Sequence, residues 1–160
     1  MNDTPTSPEN NTEAARHDWE STLSIIIPAF NEEGGIAKVL ESLHGALPGA
    51  EVIVVDDAST DKTANIVAGF PNCKLVRHPF NQGYGASLKT GMRAAAGTYL
   101  AWFDADNEHR VEDLVAMVEL LIREKLAAVI GARRNPAPSA IRSGGKLFLR
   151  SEEHTSELQS

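Results

Sequence analysis

Two aspartates, Asp104 and Asp106, stand one residue apart directly after the apolar run TYLAWF. Carboxylates held together at the mouth of a buried strand repel each other unless a cation sits between them, and a divalent ion meets that need. Aspartate supplies hard oxygen ligands suited to Mg²⁺ or Mn²⁺, ions that commonly keep waters and take substrate phosphates as their remaining ligands. Glu108, two residues on, can add another oxygen. The same residues also fit a solvated acidic turn ahead of a helix starting at Val111, so the spacing gains meaning only from its surroundings.

A second acidic pair, Asp56 and Asp57, closes the run EVIVV. A carboxylate there can accept hydrogen bonds from the N–H of a base or from ribose hydroxyls. Ser59 or Thr60 can cap a helix beginning near Asp61, with Asp57 assisting its N-terminus, which leaves Asp56 as the ligand-facing member. After the first apolar run, Pro28 and Phe30 offer a flat apolar wall for a base, and Glu32 can reach a sugar or base edge. A loop with a helix-starting Glu33 is the alternative there. The segment NQGYGA at 81–86 has two glycines before a helix but lacks the third of a dinucleotide fingerprint, so it reads as a tight turn near the ligand, stabilised by Asn81. Lys89 should face solvent. Arg133, Arg134, Arg142, Lys146 and Arg150 put five bases and no acids into 133–150, where arginine forks match phosphate oxygens. A solvated loop fits Arg134 and Arg142 equally well.

These residues need a frame that gathers them. Short apolar runs at 24–27, 51–55, 74–77, 98–103 and 128–130 alternate with helical spacing at 33–47, 60–70, 86–96 and 111–125, the last carried by Leu114, Val115, Val118, Leu121 and Ile122. That alternation predicts an α/β fold: a Rossmann-like, mostly parallel sheet with flanking helices and five strands. In such sheets ligands bind beyond the carboxyl ends of the strands, which is where the acidic pairs, the 28–33 segment and Gly131-Ala132-Arg133-Arg134 all fall. The stretch 135–145 reads as a loop.

The chain of 160 residues carries a formal charge of −7, all of it in residues 1–20 and 151–160. The body between them is neutral in sum, which argues against general nucleic-acid binding. Residues 1–21 are expected to form a flexible leader. No apolar run reaches membrane-spanning length and no signal peptide is visible, so the expected location is cytoplasmic. The lone cysteine, Cys73, reads as a small buried hydrophobe. Of the five histidines, His109 stands beside Asp104 and Asp106 and could support them, but a surface role is expected for it, and His154 falls in the 150–160 tail.

The segments IIIPAFNEE, EVIVVDDASTDKT, NQGYGASLKTGMRAAAG, WFDADNEH and VIGARR together resemble glycosyltransferase family 2, across roughly 23–149. The spacing of FDADNEH from VIGARR looks most like the polyprenyl-phosphate sugar synthases of the dolichyl-phosphate mannose synthase type. The resemblance implies a GT-A fold, of which 22–149 would be the donor-binding part, cut before the acceptor segment. It implies nucleotide-sugar contacts at Pro28, Phe30, Glu32, Asp56, Asp57, Ala105 and Arg133, a catalytic pair Asp104 and Asp106, and a metal on Asp104, Asp106 and Glu108. Phe30 replaces the usual tyrosine, and Glu108 replaces a common glutamine. Residues 150–160, RSEEHTSELQS, resemble a translated sequencing adapter and are expected to be a non-native tail.

The implied reaction is inverting transfer from a UDP- or GDP-sugar to an acceptor, either a polyprenyl phosphate or a carbohydrate hydroxyl. The cation would neutralise charge on the departing diphosphate. A phosphate acceptor, with a second pKa near about 6, needs no strong base, whereas a hydroxyl needs a carboxylate. A longer form would bring the cytoplasmic face of a membrane into play. The competing expectations are a nucleotide-sugar-binding fragment without activity, or a phosphatase-like or receiver-like domain in which these aspartates do other work.

Overall fold

A computed structural model describes residues 19–106, 109–131 and the backbone of 146–150. Four strands, β1 (Leu23–Ala29), β2 (Glu51–Asp56), β3 (Cys73–Arg77) and β4 (Tyr99–Trp102), run parallel. Helices α1 (Ile36–Ala46), α2 (Thr63–Ala68) and α3 (Tyr84–Ala94) connect them. Helix α4 (Val111–Arg123) then leads to β5 (Ala128–Gly131), and β6 (Lys146–Arg150) follows. The strand order is β3-β2-β1-β4-β6-β5. The chain winds outward from β1 to β3 and then returns to lay β4 on the other side of β1, so the direction of winding reverses between β1 and β4. That reversal opens a crevice beyond the carboxyl ends of those two strands.

The continuous apolar character of β1 follows from its position. All seven of its residues are buried because helices cover both faces. Ile25 and Ile27 join Leu40 and Leu43 of α1 and Leu114 and Val118 of α4 in one core, each contributing about 2 kcal/mol on burial. Ile26 points the other way, against α3. Pro28 is tolerated in this central strand because its missing N–H lies on the β4 side, past the last β1–β4 pair, Ile26–Trp102, so no ladder bond is lost. There β1 parts from β4.

The structure amends several expectations. Helix α1 begins at Ile36 rather than at Glu33, because 33–35 form a turn, and α2 and α3 also start later or earlier than their apolar spacing implied. Trp19 and Glu20, assigned by composition to the leader, are packed into the fold. Trp19 lies on the core, and Glu20 accepts a hydrogen bond from the Gly49 amide at 3.3 Å. The sheet gains β6, antiparallel to both β4 and β5, which pairs Arg150 with Tyr99. Arg150, which the sequence allows to either the body or the tail, is the last residue of that strand. Among the described residues no helix is long and apolar enough to cross a membrane.

Candidate active site

A cleft of about 370 Å³ opens at the β1/β4 crevice. The end of β1 supplies Pro28, Ala29, Phe30 and Glu32, and the turn after β4 supplies Asp104, Ala105 and Asp106. Asp57, Asn81, Gly83, Tyr84 and Ser87 complete the wall. Residues from four separate stretches are therefore brought together as the sheet topology requires, with Phe30 half exposed over the cleft.

The loops after β1 and β2 are laced to each other. The Asn31 amide donates to Ser59 Oγ at 2.9 Å, and the Asn31 side chain accepts from the Thr60 amide at 2.9 Å. The Glu32 amide donates to Thr63 Oγ1 at 2.8 Å, the Glu33 amide to Asp61 Oδ2 at 3.1 Å, and the Lys62 amide to Glu33 Oε2 at 3.0 Å. Asn31 and Ala58 both take positive φ, 56° and 62°, a conformation these cross-links hold in place. Short polar side chains in FNEE and ASTDKT thus serve to fix Phe30 and Glu32. Asp61, rather than Ser59 or Thr60, receives the first N–H of α2, at Thr63, 2.9 Å away.

The two carboxylates at the end of β2 face different surroundings. Asp56 is fully buried and turned from the cleft, with Oδ2 2.9 Å from Arg77 Nε and Oδ1 accepting from the Ser59 amide at 3.2 Å. Asp57 lines the cleft instead. Its Oδ1 accepts from the Gln82 amide and Oδ2 from the Gly83 amide, both at 2.8 Å, and His78 Nδ1 lies 2.7 Å from Oδ1. An ionised Asp57 makes Nδ1 the donor, and His78 Nε2 lies 2.9 Å from the Thr90 hydroxyl. Burial opposes ionisation of Asp57, but the Gln82 amide, His78 and the Gly83 amide together outweigh it and hold the carboxyl below its ordinary range.

The acidic turn after β4 is supported from two sides. Tyr84 donates its hydroxyl to Asp104 Oδ1 at 2.9 Å, and His109 Nε2 donates to Oδ2 at 2.6 Å. His109 is itself packed edge-on to Phe103, with ring centroids 5.8 Å apart. Its expected surface role is therefore replaced by direct contact with the acidic pair. Asp106 is exposed on the same turn. Burial, then the charges of Asp106, Asp61 and Asp104, push the Glu32 carboxyl above its usual range, so negative charge accumulates on this side of the cleft. Among the described residues no three His, Cys, Asp or Glu side chains converge as a closed metal cage. Glu108 and Arg133 lie outside the described residues, as do Arg134 and Arg142. Sequence reasoning missed Tyr84 and His78, whose partners are distant in sequence, and Ser87, which lines the cleft and donates to the Gly83 carbonyl. Lys89 is exposed, as expected, and burial pushes the Cys73 thiol up to about 11.

The fold is that of the GT-A glycosyltransferases: it superimposes on the mannosyltransferase PcManGT from Pyrobaculum calidifontis, solved with GDP-Man and Mn²⁺, with a TM-score of 0.66 at 24% identity, over 81% of this chain and 44% of that one. Residues 24–144 match Glycosyl transferase family 2, and the chain belongs to that family. It is 33% identical over 123 residues to the low-salt glycan biosynthesis hexosyltransferase Agl6 of Haloferax volcanii, across 75% of this chain and 29% of the relative. It is also 28% identical over 149 residues to the dolichyl-phosphate beta-glucosyltransferase ALG5A of Trichomonas vaginalis, across 83% of this chain and 46% of the relative. The chain thus spans less than half the length of either curated relative.

Proposed function

We propose that this chain is the donor-binding part of a glycosyltransferase that moves a sugar from a UDP- or GDP-sugar to an acceptor, a polyprenyl phosphate, with inversion. The observation that carries this reading is the meeting of an apolar wall, an amide-binding carboxylate and an acidic turn in one cleft at the β1/β4 reversal. Pro28 and Phe30 would lie against the base, Glu32 would hydrogen-bond its edge or the ribose, and Asp57 would hold the loop that closes over it. Arg133 remains a proposed phosphate contact, and Glu108 a proposed ligand beside the aspartates.

The residues present fit a divalent cation. Asp104 and Asp106 offer oxygen donors on an open wall, and after burial their charges help to push the Glu32 carboxyl up. One or two carboxylates with substrate phosphates and water make a full Mg²⁺ or Mn²⁺ shell, so no closed protein cage is required. When bound, the ion would supply positive charge to the departing diphosphate. Tyr84 and His109 hold Asp104 in place, and Ala105, buried between the two acids, fixes their spacing. The acceptor oxygen would attack the anomeric carbon from the face opposite the diphosphate, whose bond to that carbon breaks as the new one forms. An ionised phosphate acceptor gives up no proton, whereas a hydroxyl acceptor would need a base.

Transfer of radiolabel from UDP- or GDP-sugars to dolichyl or undecaprenyl phosphate tests this. Solvent-extractable label supports the reading. Label found only on a sugar acceptor overturns the lipid-phosphate part, and no transfer with donor binding intact supports the second reading, a donor-binding fragment.

A further inference from the structure

Residues 81–83 lead into α3 at the rim of the cleft, and Gly83 adopts φ 89°, ψ 163°, a conformation reserved for glycine. Tyr84, half exposed on the first turn of α3, lines the cleft, and two carboxylates reach this segment. Asp57 takes the amides of Gln82 and Gly83 from below, and Asp104 takes the Tyr84 hydroxyl from across the cleft. The result is one hydrogen-bonded chain along the carboxyl edge of the sheet: Thr90, His78, Asp57, the 82–83 amides, Tyr84, Asp104 and His109. It runs from the end of β2 over the end of β1 to the end of β4.

We propose that Tyr84 is a positioning residue that ties the loop on the nucleoside side of the cleft to the acidic turn on the diphosphate side, so that both walls are set before a donor binds. The proposal rests on the donor-binding reading for its consequence, but not for its geometry. Ordering the loop in advance removes an entropy cost from binding.

Tyr84→Phe removes the hydroxyl and keeps the ring. Amide exchange at 82–85 should accelerate about tenfold in the unliganded protein, while the melting temperature is unchanged, since only a local opening is eased. Affinity for UDP or GDP in the presence of Mn²⁺ should fall about three- to tenfold, the range of a hydrogen bond to a charged, partly exposed group. Affinity without Mn²⁺ should fall as well, because the loop on the nucleoside side is loosened with or without the cation. On an Asp104→Ala background the same change should have no further effect. Unchanged exchange at 82–85, or effects on affinity that add across the two substitutions, would overturn the proposal. If the unaltered protein binds neither nucleotide, the donor reading fails, while the exchange measurement still decides whether Tyr84 anchors the loop.

Discussion

Gly35 and Ala105 stand back to back: a Cβ on Gly35 would lie 2.7 Å from the Ala105 carbonyl oxygen. The residue before α1 is thereby a backstop for the turn that carries Asp104 and Asp106. Because the obstacle is backbone, it cannot swing aside as a side chain would. Gly35→Ala should push the acidic turn outward, lower stability by about 1–3 kcal/mol, and weaken cation-supported donor binding. Thermal melts and calorimetric titration of the variant check both effects. Gly34→Ala, with open space around its Cβ position, serves as the comparison and should change neither.

Asp57 gives the fold an acid-sensitive joint. Its carboxyl is held below its usual range, so the stability it contributes is present above the unfolded value of about 3.9 and is lost as pH falls through the folded one. Asp57→Asn leaves the Gln82 or Gly83 amide and His78 poorly paired and should destabilise the protein by about 2–3 kcal/mol at pH 7. Melting curves of the two forms should converge below about pH 4. A difference that persists unchanged into acid would mean that packing, not charge, is what Asp57 provides.

Glu32 shows the opposite sign. Burial and the neighbouring acids raise its carboxyl, so its favourable contribution exists at low pH and is lost as pH rises through the folded value. Glu32→Gln should leave the cation-free protein at pH 7 slightly more stable, by about 0.5 kcal/mol or less at this partly exposed site. The same variant should bind a nucleotide sugar more weakly. Differential scanning calorimetry beside a binding titration separates the two.

Cys73 should be a poor nucleophile. With burial holding its thiol near about 11, only about one thiol in a thousand is ionised at pH 8. Labelling by a chromogenic disulfide reagent should be slow in the native protein and immediate after denaturation.

The strands were legible because a sheet covered on both faces demands unbroken apolar runs, and 24–27 or 51–55 can be little else. Helix starts were not, because apolar spacing cannot say that Glu33-Gly34-Gly35 turns before α1 while Tyr84 already belongs to α3. The sixth strand was missed: five residues between a Gly-rich segment and a polar tail carry no signal of antiparallel pairing with β4 and β5. At the site, residue type was enough to point to Asp104 and Asp106. It was not enough to separate Asp56 from Asp57, since only the fold shows Arg77 waiting beside one and the 82–83 amides beside the other. Tyr84 and His78 were invisible for the same reason, each meeting its aspartate about twenty residues away in sequence.

The acidic turn is the cation-dependent half of the proposed donor site. Calorimetric titration of UDP- and GDP-sugars with and without Mn²⁺, on the unaltered protein and on Asp106→Ala, tests this directly. Binding should tighten with Mn²⁺ for one nucleotide class, and Asp106→Ala should abolish that gain while leaving the cation-free affinity in place. Donor binding that ignores Mn²⁺, or a gain that survives Asp106→Ala, would contradict the account.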